Sequence, residues 1–266
     1  MSSLKDAYFA RHAPQDAESE RLRALDAFYA APTQRWLEDA VAFTSGMHIL
    51  EAGAGSGGML AWFAQKTGPH GDVLGLDIDL SRAAPPAPPV RHLEADLHAP
   101  PAEPEAFDLV YARLVLMHLP DAPRALEALS SWLKPGGVLA IADLDCSTCA
   151  PADPDADGAA AFSDALNTVR TAMAESGLMD PAFGARLPGL VEAAGFEAVA
   201  VRRHERIVQG GSHWAQFMAY NNALIGPAVG EPEAAETVAR CMGSPATSFH
   251  DQTLVCVTAR KPRRQA

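Results

Sequence analysis

Between residues 47 and 144, short apolar runs alternate with segments of helical periodicity, and this alternation restricts the fold more than any other feature of the sequence. Five apolar runs, each typical of a buried strand, lie at 47–53, 72–79, 90–96, 107–113 and 138–144. Helical patterns follow the first and fourth of these runs, at 56–68 and 123–137. Because strands that alternate with helices form parallel sheets, we predict an α/β, Rossmann-like fold with helices on both faces of a mostly parallel sheet.

The sequence outside this region predicts further strands and helices. Strands at 197–203 and 252–261 bring the predicted sheet to seven strands. Additional helices are predicted at 18–30, 33–43, 159–176, 186–196 and 212–243, with Pro32 separating the first two and Gly226-Pro227 breaking the last.

The length of 266 residues suits one sizeable domain rather than two. We therefore expect a single domain over residues 1–266. Within it, residues 1–45 would form N-terminal cap helices, and 146–182 and 204–250 would be insertions that cover a substrate site at the carboxyl ends of the strands.

One connection differs from that of a regular doubly wound sheet. The sequence LSRAAPPAPP (80–89) joins the second and third predicted strands, and its last five residues include four prolines. Proline removes a backbone donor and clashes with the preceding helical turn, so a crossover helix is excluded there. We expect an extended loop instead, with at most one helical turn at 80–84.

Composition and charge exclude several kinds of partner. The formal net charge is -12, so the surface repels phosphate backbones and nucleic acid is not expected as a partner. No apolar run approaches the roughly 18 residues that a membrane span needs. The opening MSSLKDAYFARHAP lacks the apolar core of a signal peptide. We therefore expect a cytoplasmic protein that acts on a small molecule; a homodimer stays open.

The cysteines do not predict a metal site. Cys146 and Cys149 form a lone C-x-x-C, without the second ligand pair or nearby histidines of a zinc site. Proline follows the motif where a redox site would continue into a helix. Reduced thiols are the simpler interpretation, and the role of this pair stays open.

A glycine-rich turn, Gly53-Ala54-Gly55-Ser56-Gly57-Gly58, lies between the first of the five strands and a helix. Glycines at this place permit a tight turn and close approach of a ligand to the backbone. Asp77 ends the next strand, where a carboxylate can accept both hydroxyls of an adenosine ribose. Enzymes that bind NAD and enzymes that bind S-adenosylmethionine (SAM) share both features, so the turn alone leaves the two cofactors open.

Five motifs occur in one order, one for each strand–helix step: ILEAGAGSGG, VLGLDID, EADL, FDLVYARLVLMHLPD and LKPGGVLAIAD. This series resembles the class I SAM-dependent methyltransferases, over roughly residues 8–200. It looks closest to the branch of ubiquinone and menaquinone biosynthesis methyltransferases and to bacterial natural-product methyltransferases. The resemblance implies transfer of the methyl group of SAM to a small molecule of secondary metabolism. An aromatic acceptor such as an indole carbon is one expectation, and methylation at carbon, nitrogen or oxygen stays open.

The resemblance also implies which residues contact the cofactor. From the methionine end through the ribose and adenine to the transferred methyl, they are Glu51, Gly53, Gly55, Gly57, Asp77, Ile78, Asp96, Leu97, Ala112 and Arg113. Asp77 would bind the ribose and Asp96 the adenine amino group. Glu51 stands where aspartate is commoner in the family, which is a mild departure.

Methyl transfer from a sulfonium needs a base only where the acceptor must lose a proton. The candidate bases are Tyr8, His12, His118, Asp145, His213, Tyr220 and His250. We hypothesise that Tyr8 and His118 act together on an acceptor such as an indole or phenol, because both lie on segments expected to border the methyl group. A packed structural histidine and an anchoring aromatic are the alternatives for these two residues.

Two other functions compete with methyl transfer. An NAD(P)-dependent oxidoreductase would carry a Tyr-x-x-x-Lys or similar pair after the fifth strand, and the sequence has none there. A non-catalytic SAM-binding protein would keep the glycines and Asp77 without the reaction.

Overall fold

The computed structural model describes residues 15–98 and 104–264, with side chains from residue 19 onward. Within these residues the chain divides into two compact units. The larger contains 15–143, 186–202 and 255–264, and the smaller contains 144–185 and 203–254. The single domain over 1–266, with cap segments at 1–45, 146–182 and 204–250, stays a prediction.

A seven-stranded sheet forms the core of the larger unit. Its strands are β1 (His48–Ala52), β2 (Asp72–Asp77), β3 (Val90–Glu94), β4 (Phe107–Arg113), β5 (Leu133–Asp145), β7 (Glu197–His204) and β10 (Thr253–Arg260). They lie in the order β3-β2-β1-β4-β5-β10-β7. The pairs β3–β2, β2–β1, β1–β4 and β4–β5 are all parallel. The predicted mostly parallel, Rossmann-like sheet is thus confirmed.

The strand order changes direction between β1 and β4. β2 and β3 extend the sheet on one side of β1, whereas β4 and β5 extend it on the other. Ala52 pairs with Ala112, so the carboxyl ends of these two strands lie side by side. Ligands of open α/β sheets bind at such a switch point. The glycine turn begins there, directly after β1.

Helix α1 (Gln15–Ala40) is continuous, so the prediction of two helices separated by Pro32 is wrong. An internal proline costs a helix about 3 kcal/mol. Tyr29 lies before Pro32 and Trp36 and Leu37 lie after it, and all three are buried. Burial of large side chains on both sides of the proline offsets this cost.

Two further helices, α2 (Leu60–Thr67) and α3 (Ala122–Trp132), belong to the larger unit. The predicted helix at 123–137 was too long, because the chain enters β5 at Leu133. Leu133 pairs with Phe107 of β4, and Gly136 has a φ of 80°, which a continuing helix does not allow. The Pro-Gly-Gly sequence therefore belongs to the strand and its bend rather than to the helix end.

The connection from β2 to β3 agrees with its prediction. Residues 78–89 contain turns and extended chain and no helix, and all of them are described. The proline-rich loop therefore replaces the crossover helix.

The smaller unit combines helices with a short antiparallel sheet. The helices are α4 (Ala159–Glu175), α6 (His213–Val229) and α7 (Pro232–Gly243), and α5 (Phe183–Ala193) begins in this unit. The sheet has the order β6-β9-β8, with β6 (Ala150–Pro151), β8 (Ile207–Gln209) and β9 (Ser248–His250). The sequence did not predict this sheet, because strands of two or three residues carry no alternating pattern.

Helix α6 continues through Pro227, so the break predicted at Gly226-Pro227 is misplaced. The helix ends at Val229, and Gly230 closes it with a φ of 81°. Pro232 then begins α7, where its missing N–H removes no helical hydrogen bond.

Cys146 and Cys149 are buried, unbonded thiols of the smaller unit. Burial raises the pKa of the Cys149 thiol to about 12, so this sulfur stays protonated at neutral pH. Within residues 15–98 and 104–264, no cluster of three or more histidine, cysteine or acidic side chains could hold a metal ion. Among the helices that the structure describes, none has the length and apolar character needed to cross a membrane.

Candidate cofactor-binding site

The glycine turn leaves β1 with left-handed backbone conformations. Gly53, Gly55 and Gly57 have φ values of 72°, 54° and 78°, a region that favours glycine. The N–H groups of Gly53 and Ala54 both donate to the carbonyl oxygen of Leu76, at 2.7 and 3.0 Å. These bonds fasten the turn to the end of β2, so the turn and Asp77 are held together.

Gly53 and Gly55 are required for different reasons. A Cβ built on Gly53 would lie 2.2 Å from Cγ2 of Val115, so the protein's own packing excludes a side chain there. A Cβ built on Gly55 would have no atom of the described residues within 4 Å. Packing does not require the second glycine, but its left-handed φ of 54° favours one, and the open space beside it leaves room for a ligand to approach the backbone.

Asp77 lies directly against this turn. Its carboxylate accepts the N–H of Gly55 at 2.8 Å and the N–H of Asp79 at 3.0 Å. Burial raises the pKa of Asp77, and the hydrogen bonds from Gly55 and its other neighbours oppose that rise. The structure thus brings two of the predicted cofactor residues, Gly55 and Asp77, into contact. Ile78 follows Asp77 in the chain.

Asp96 and Leu97 lie in the loop after β3. The Asp96 carboxylate accepts the N–H of His98 at 2.8 Å and lies 3.0 Å from its Nδ1. The hydrogen bond from the His98 backbone lowers the pKa of Asp96, which favours the charged acceptor form. Leu97 is buried, whereas the Asp96 side chain is 52% exposed. Contact of this pair with adenine stays a prediction.

Arg113 ends β4, beside the turn, and follows the buried Ala112. The Arg113 side chain is only 7% exposed, and its Nη2 donates to Asp26 of α1. The same carboxylate accepts the hydroxyl of Ser56 in the turn. Asp26 is thus a site residue that sequence reasoning missed, because one aspartate on an amphipathic helix forms no motif.

Glu51 lies on β1, paired in register with Tyr111 of β4. It is 4% exposed, and its Oε2 has no hydrogen-bond partner among the described residues. Burial raises the pKa of Glu51 from 4.5 to about 8, with Arg113 opposing the rise and Asp26 adding to it. Nη1 of Arg113 is a second buried polar atom without a hydrogen-bond partner in the described part of the chain.

These two atoms suit an amino-acid ligand. Buried polar groups are nearly always hydrogen-bonded, so a donor atom and a carboxyl oxygen that lack partners among the described residues point to a ligand that bonds to them. Arg113 can donate to a carboxylate, and Oε2 of Glu51 can accept from an ammonium group, whose positive charge would favour the charged form of Glu51. The methionine end of SAM carries both groups, and the residues at the switch point fit that cofactor.

The loop after β4 packs against the turn through Val115. Asp143 of β5 holds this loop, since its buried carboxylate accepts the N–H of Leu116 at 3.2 Å. Burial raises the pKa of Asp143 to about 8. The loop continues into a single 3-10 turn that ends at His118. Asp143 was also missed by sequence reasoning, because the buried strand that carries it gives no sign that one carboxylate faces backbone donors.

The candidate bases differ in their burial and in the segment that carries each of them. Tyr8 and His12 lie outside the described residues. His118 is half-buried at the end of the loop after β4. Asp145 caps the short helix that follows β5, because its carboxylate accepts the N–H of Ser147 at 3.0 Å. The remaining three are exposed: His213, Tyr220 and His250.

We expect the Glu51→Gln variant to lose less stability than the wild type as the pH rises. Glu51 in the folded protein, with its pKa of about 8, keeps a proton that the unfolded chain releases near 4.5. The folded state therefore binds more protons between these values, and stability falls with rising pH by up to about 1.4 kcal/mol per unit. Glutamine does not titrate, so the free energy of unfolding of the variant should rise relative to that of the wild type between pH 6 and pH 8.

Urea unfolding at pH 6, 7 and 8 measures this difference. Glu38→Gln, which removes an exposed glutamate paired with Lys66, is the control. A difference between Glu51→Gln and wild type that is the same at all three pH values contradicts the prediction.

Comparison with known proteins assigns the family. A family profile described as a methyltransferase domain matches residues 20–201. A methyltransferase of Strobilurus tenacellus, str2, is 39% identical over 149 residues, which is 55% of this chain and 52% of that protein. The chain thus spans about half the length of this curated relative.

Two solved structures share the fold. Phosphoethanolamine N-methyltransferase 2 of Haemonchus contortus, in complex with phosphomonomethylethanolamine and S-adenosylhomocysteine, has a TM-score of 0.61. It is 14% identical, with 99% of this chain and 61% of that chain covered. The cyclase SpnF has a TM-score of 0.54 at 19% identity, with 91% of this chain and 82% of that chain covered.

The fold and the profile match together define an α/β methyltransferase class, and the chain belongs to the methyltransferase-domain family. The predicted resemblance is confirmed, and with it SAM as the cofactor of this family. The assignment favours SAM over the dinucleotide that the glycine turn alone left open.

Proposed function

We propose that this protein transfers the methyl group of SAM to a small, aromatic acceptor. The observation that carries the proposal is the pair of buried atoms, Oε2 of Glu51 and Nη1 of Arg113, which lack hydrogen-bond partners in the described chain. Together they match the two charged groups of an amino acid. A bound SAM supplies a methyl group made electrophilic by its sulfonium.

The chain's own residues hold the cofactor in this proposal. Glu51 and Arg113 bind the amino-acid end, and the backbone at Gly55 allows close approach. Asp77 accepts the ribose hydroxyls. Ile78 and Leu97 border the adenine, and Asp96 accepts its amino group. Orientation and exclusion of water are then the main tasks of the protein, because the methyl group is already reactive.

We infer the kind of acceptor from the net charge of the chain and from the family resemblance. A net charge of -12 favours a small molecule over nucleic acid. The family resemblance supports an aromatic or natural-product acceptor, with an indole carbon as one example. Carbon, nitrogen and oxygen acceptors all belong to the proposal.

Titration calorimetry with SAM, S-adenosylhomocysteine (SAH) and NADH tests this function, followed by a screen of aromatic metabolites for methyl uptake. We expect SAM and SAH to bind and NADH not to bind. Binding of NADH without SAM overturns the proposal. Binding of SAM with no methyl uptake by any acceptor supports the non-catalytic alternative.

We further propose that His118 and Tyr8 assist by removing a proton from the acceptor. His118 is positioned by the loop that Asp143 holds and that packs on Gly53 through Val115. Positioned bases contribute a hundredfold or more to rate, so His118→Ala and Tyr8→Phe should each lower turnover by about a hundredfold, at nearly unchanged affinity for SAH.

Turnover with an accepted substrate and calorimetry with SAH measure the two effects. His70→Ala, at an exposed histidine that is not a candidate base, is the control. Full turnover in both variants excludes the base role.

A further inference from the structure

One carboxylate joins three parts of the site. Asp26 of α1 accepts the Ser56 hydroxyl through Oδ2 and the Arg113 guanidinium through Oδ1. Ser56 belongs to the glycine turn and Arg113 ends β4, so Asp26 connects the N-terminal helix to both sides of the switch point.

Gly58 allows this approach. A Cβ built on Gly58 would lie 2.5 Å from Oδ2 and 2.7 Å from Cγ of Asp26. Gly58 is not among the residues with positive φ, so its backbone conformation does not require glycine. The space taken by the Asp26 carboxylate does require it. The last glycine of the turn is therefore explained by a residue of α1.

The charges of the cluster make Asp26 the counter-ion of Arg113. Arg113 is almost fully buried, and a buried guanidinium without a counter-ion is strongly destabilising. Glu51 is nearby, but burial raises its pKa to about 8, so at neutral pH it is mostly neutral. The other titratable groups that act on this cluster are Tyr29, Asp77, Tyr111 and Cys256. Asp26 supplies the negative charge and accepts a hydrogen bond from Nη2 of Arg113. Nη1 of Arg113 is left for another acceptor.

We infer that Asp26 is a positioning residue for the amino-acid end of the cofactor, because it fixes Arg113 and Ser56 where that end binds. The inference rests on the proposed function. It assigns a cofactor-binding task to α1, which lies outside the five motifs of the family resemblance.

The test compares two ligands that differ only at the amino-acid end. SAH carries the ammonium and carboxylate groups, whereas 5′-methylthioadenosine keeps the adenosine and the sulfur and lacks both. We expect Asp26→Asn to weaken SAH binding roughly ten- to hundredfold in calorimetry, as for loss of hydrogen bonds to charged groups. Binding of 5′-methylthioadenosine should change by less than about threefold, since it lacks the carboxylate that Arg113 is proposed to bind.

A second variant perturbs Asp26 without changing its charge. Gly58→Ala places a methyl group against the carboxylate, and we expect the same selective loss of SAH binding. Asp39→Asn is the matched control on the same helix, because Asp39 pairs with Arg202 in an exposed ion pair. Such pairs contribute little, so neither ligand should be affected.

The outcomes separate the inference from the proposed function. A wild-type protein that binds neither ligand contradicts both. Wild-type binding of SAH, with equal losses for both ligands in Asp26→Asn, makes Asp26 a structural residue and overturns the inference alone. Tighter SAH binding in Asp26→Asn also overturns it, because Asp26 would then compete with the cofactor.

Discussion

Gly53→Ala is expected to destabilise the protein by about 2–5 kcal/mol and to abolish measurable SAH binding. The added Cβ would overlap Val115 at 2.2 Å, and overpacking of this kind costs about 1–3 kcal/mol. The left-handed conformation, with φ at 72°, adds about 1–2 kcal/mol for any residue with a Cβ. The turn would have to move away from the loop after β4, and Gly55 would move with it.

Gly55→Ala is the matched variant, in the same turn and also left-handed, with φ at 54°. No described atom lies within 4 Å of its Cβ, so it should cost only the conformational term of about 1–2 kcal/mol. It should nevertheless weaken SAH binding strongly, because the methyl group would occupy the space through which we propose that the cofactor reaches the backbone. Urea unfolding and calorimetry measure the two effects separately.

A second substitution tests why Gly53→Ala should lose more stability than Gly55→Ala. Val115→Ala removes the methyl groups that the new Cβ would meet, so Gly53→Ala with Val115→Ala should recover about 2 kcal/mol relative to Gly53→Ala alone. Equal destabilisation by Gly53→Ala and Gly55→Ala, or unchanged SAH affinity in Gly55→Ala, contradicts this account of the turn.

Asp77→Ala should lower the affinity for SAH by about a thousandfold. The proposed ribose contacts are two hydrogen bonds to a charged group, each worth about 1.5–3 kcal/mol. The substitution also removes the acceptor of the Gly55 N–H, a bond of 2.8 Å that orders the turn. Asp77→Asn keeps one oxygen acceptor, so its affinity for SAH should fall less than that of Asp77→Ala.

Asp72→Ala is the control, at the opposite end of the same strand. Asp72 pairs with Arg91 at 2.7 and 2.8 Å on the surface, and its loss should cost at most about 1 kcal/mol of stability without changing affinity. Calorimetry with SAH and with adenosine measures the effect, and both ligands should weaken because both carry the ribose. Unchanged affinity for both ligands in Asp77→Ala removes Asp77 from the ribose site.

The parallel sheet and the turn were predictable because their signals are local. Each apolar run lies within a few residues, and the turn combines glycines with the end of a strand. The site residues that were missed depend on contacts across the sequence. Asp26 lies 87 positions from Arg113, and the Asp143 carboxylate bonds a backbone 27 positions earlier. The hydrophobic periodicity of a sequence does not indicate contacts between residues so far apart in the chain.

The errors in secondary structure have a related cause. Pro32 and Pro227 were interpreted as breaks from local propensity, whereas burial on both sides carries α1 through Pro32. Tertiary packing overrides propensity in such helices. The solved neighbours illustrate a further limit, since a cyclase and an N-methyltransferase share this fold, so the reaction has to be established at the site.

The contact between Val115 and Gly53 has a mechanical consequence. The glycine turn and the loop that ends at His118 pack against each other through this contact, so we expect a shift of one to move the other. If the turn holds the cofactor and His118 faces the acceptor, as we propose, Val115 joins the two proposed sites. A change in the turn when the cofactor binds would then be transmitted to the loop that carries the proposed base.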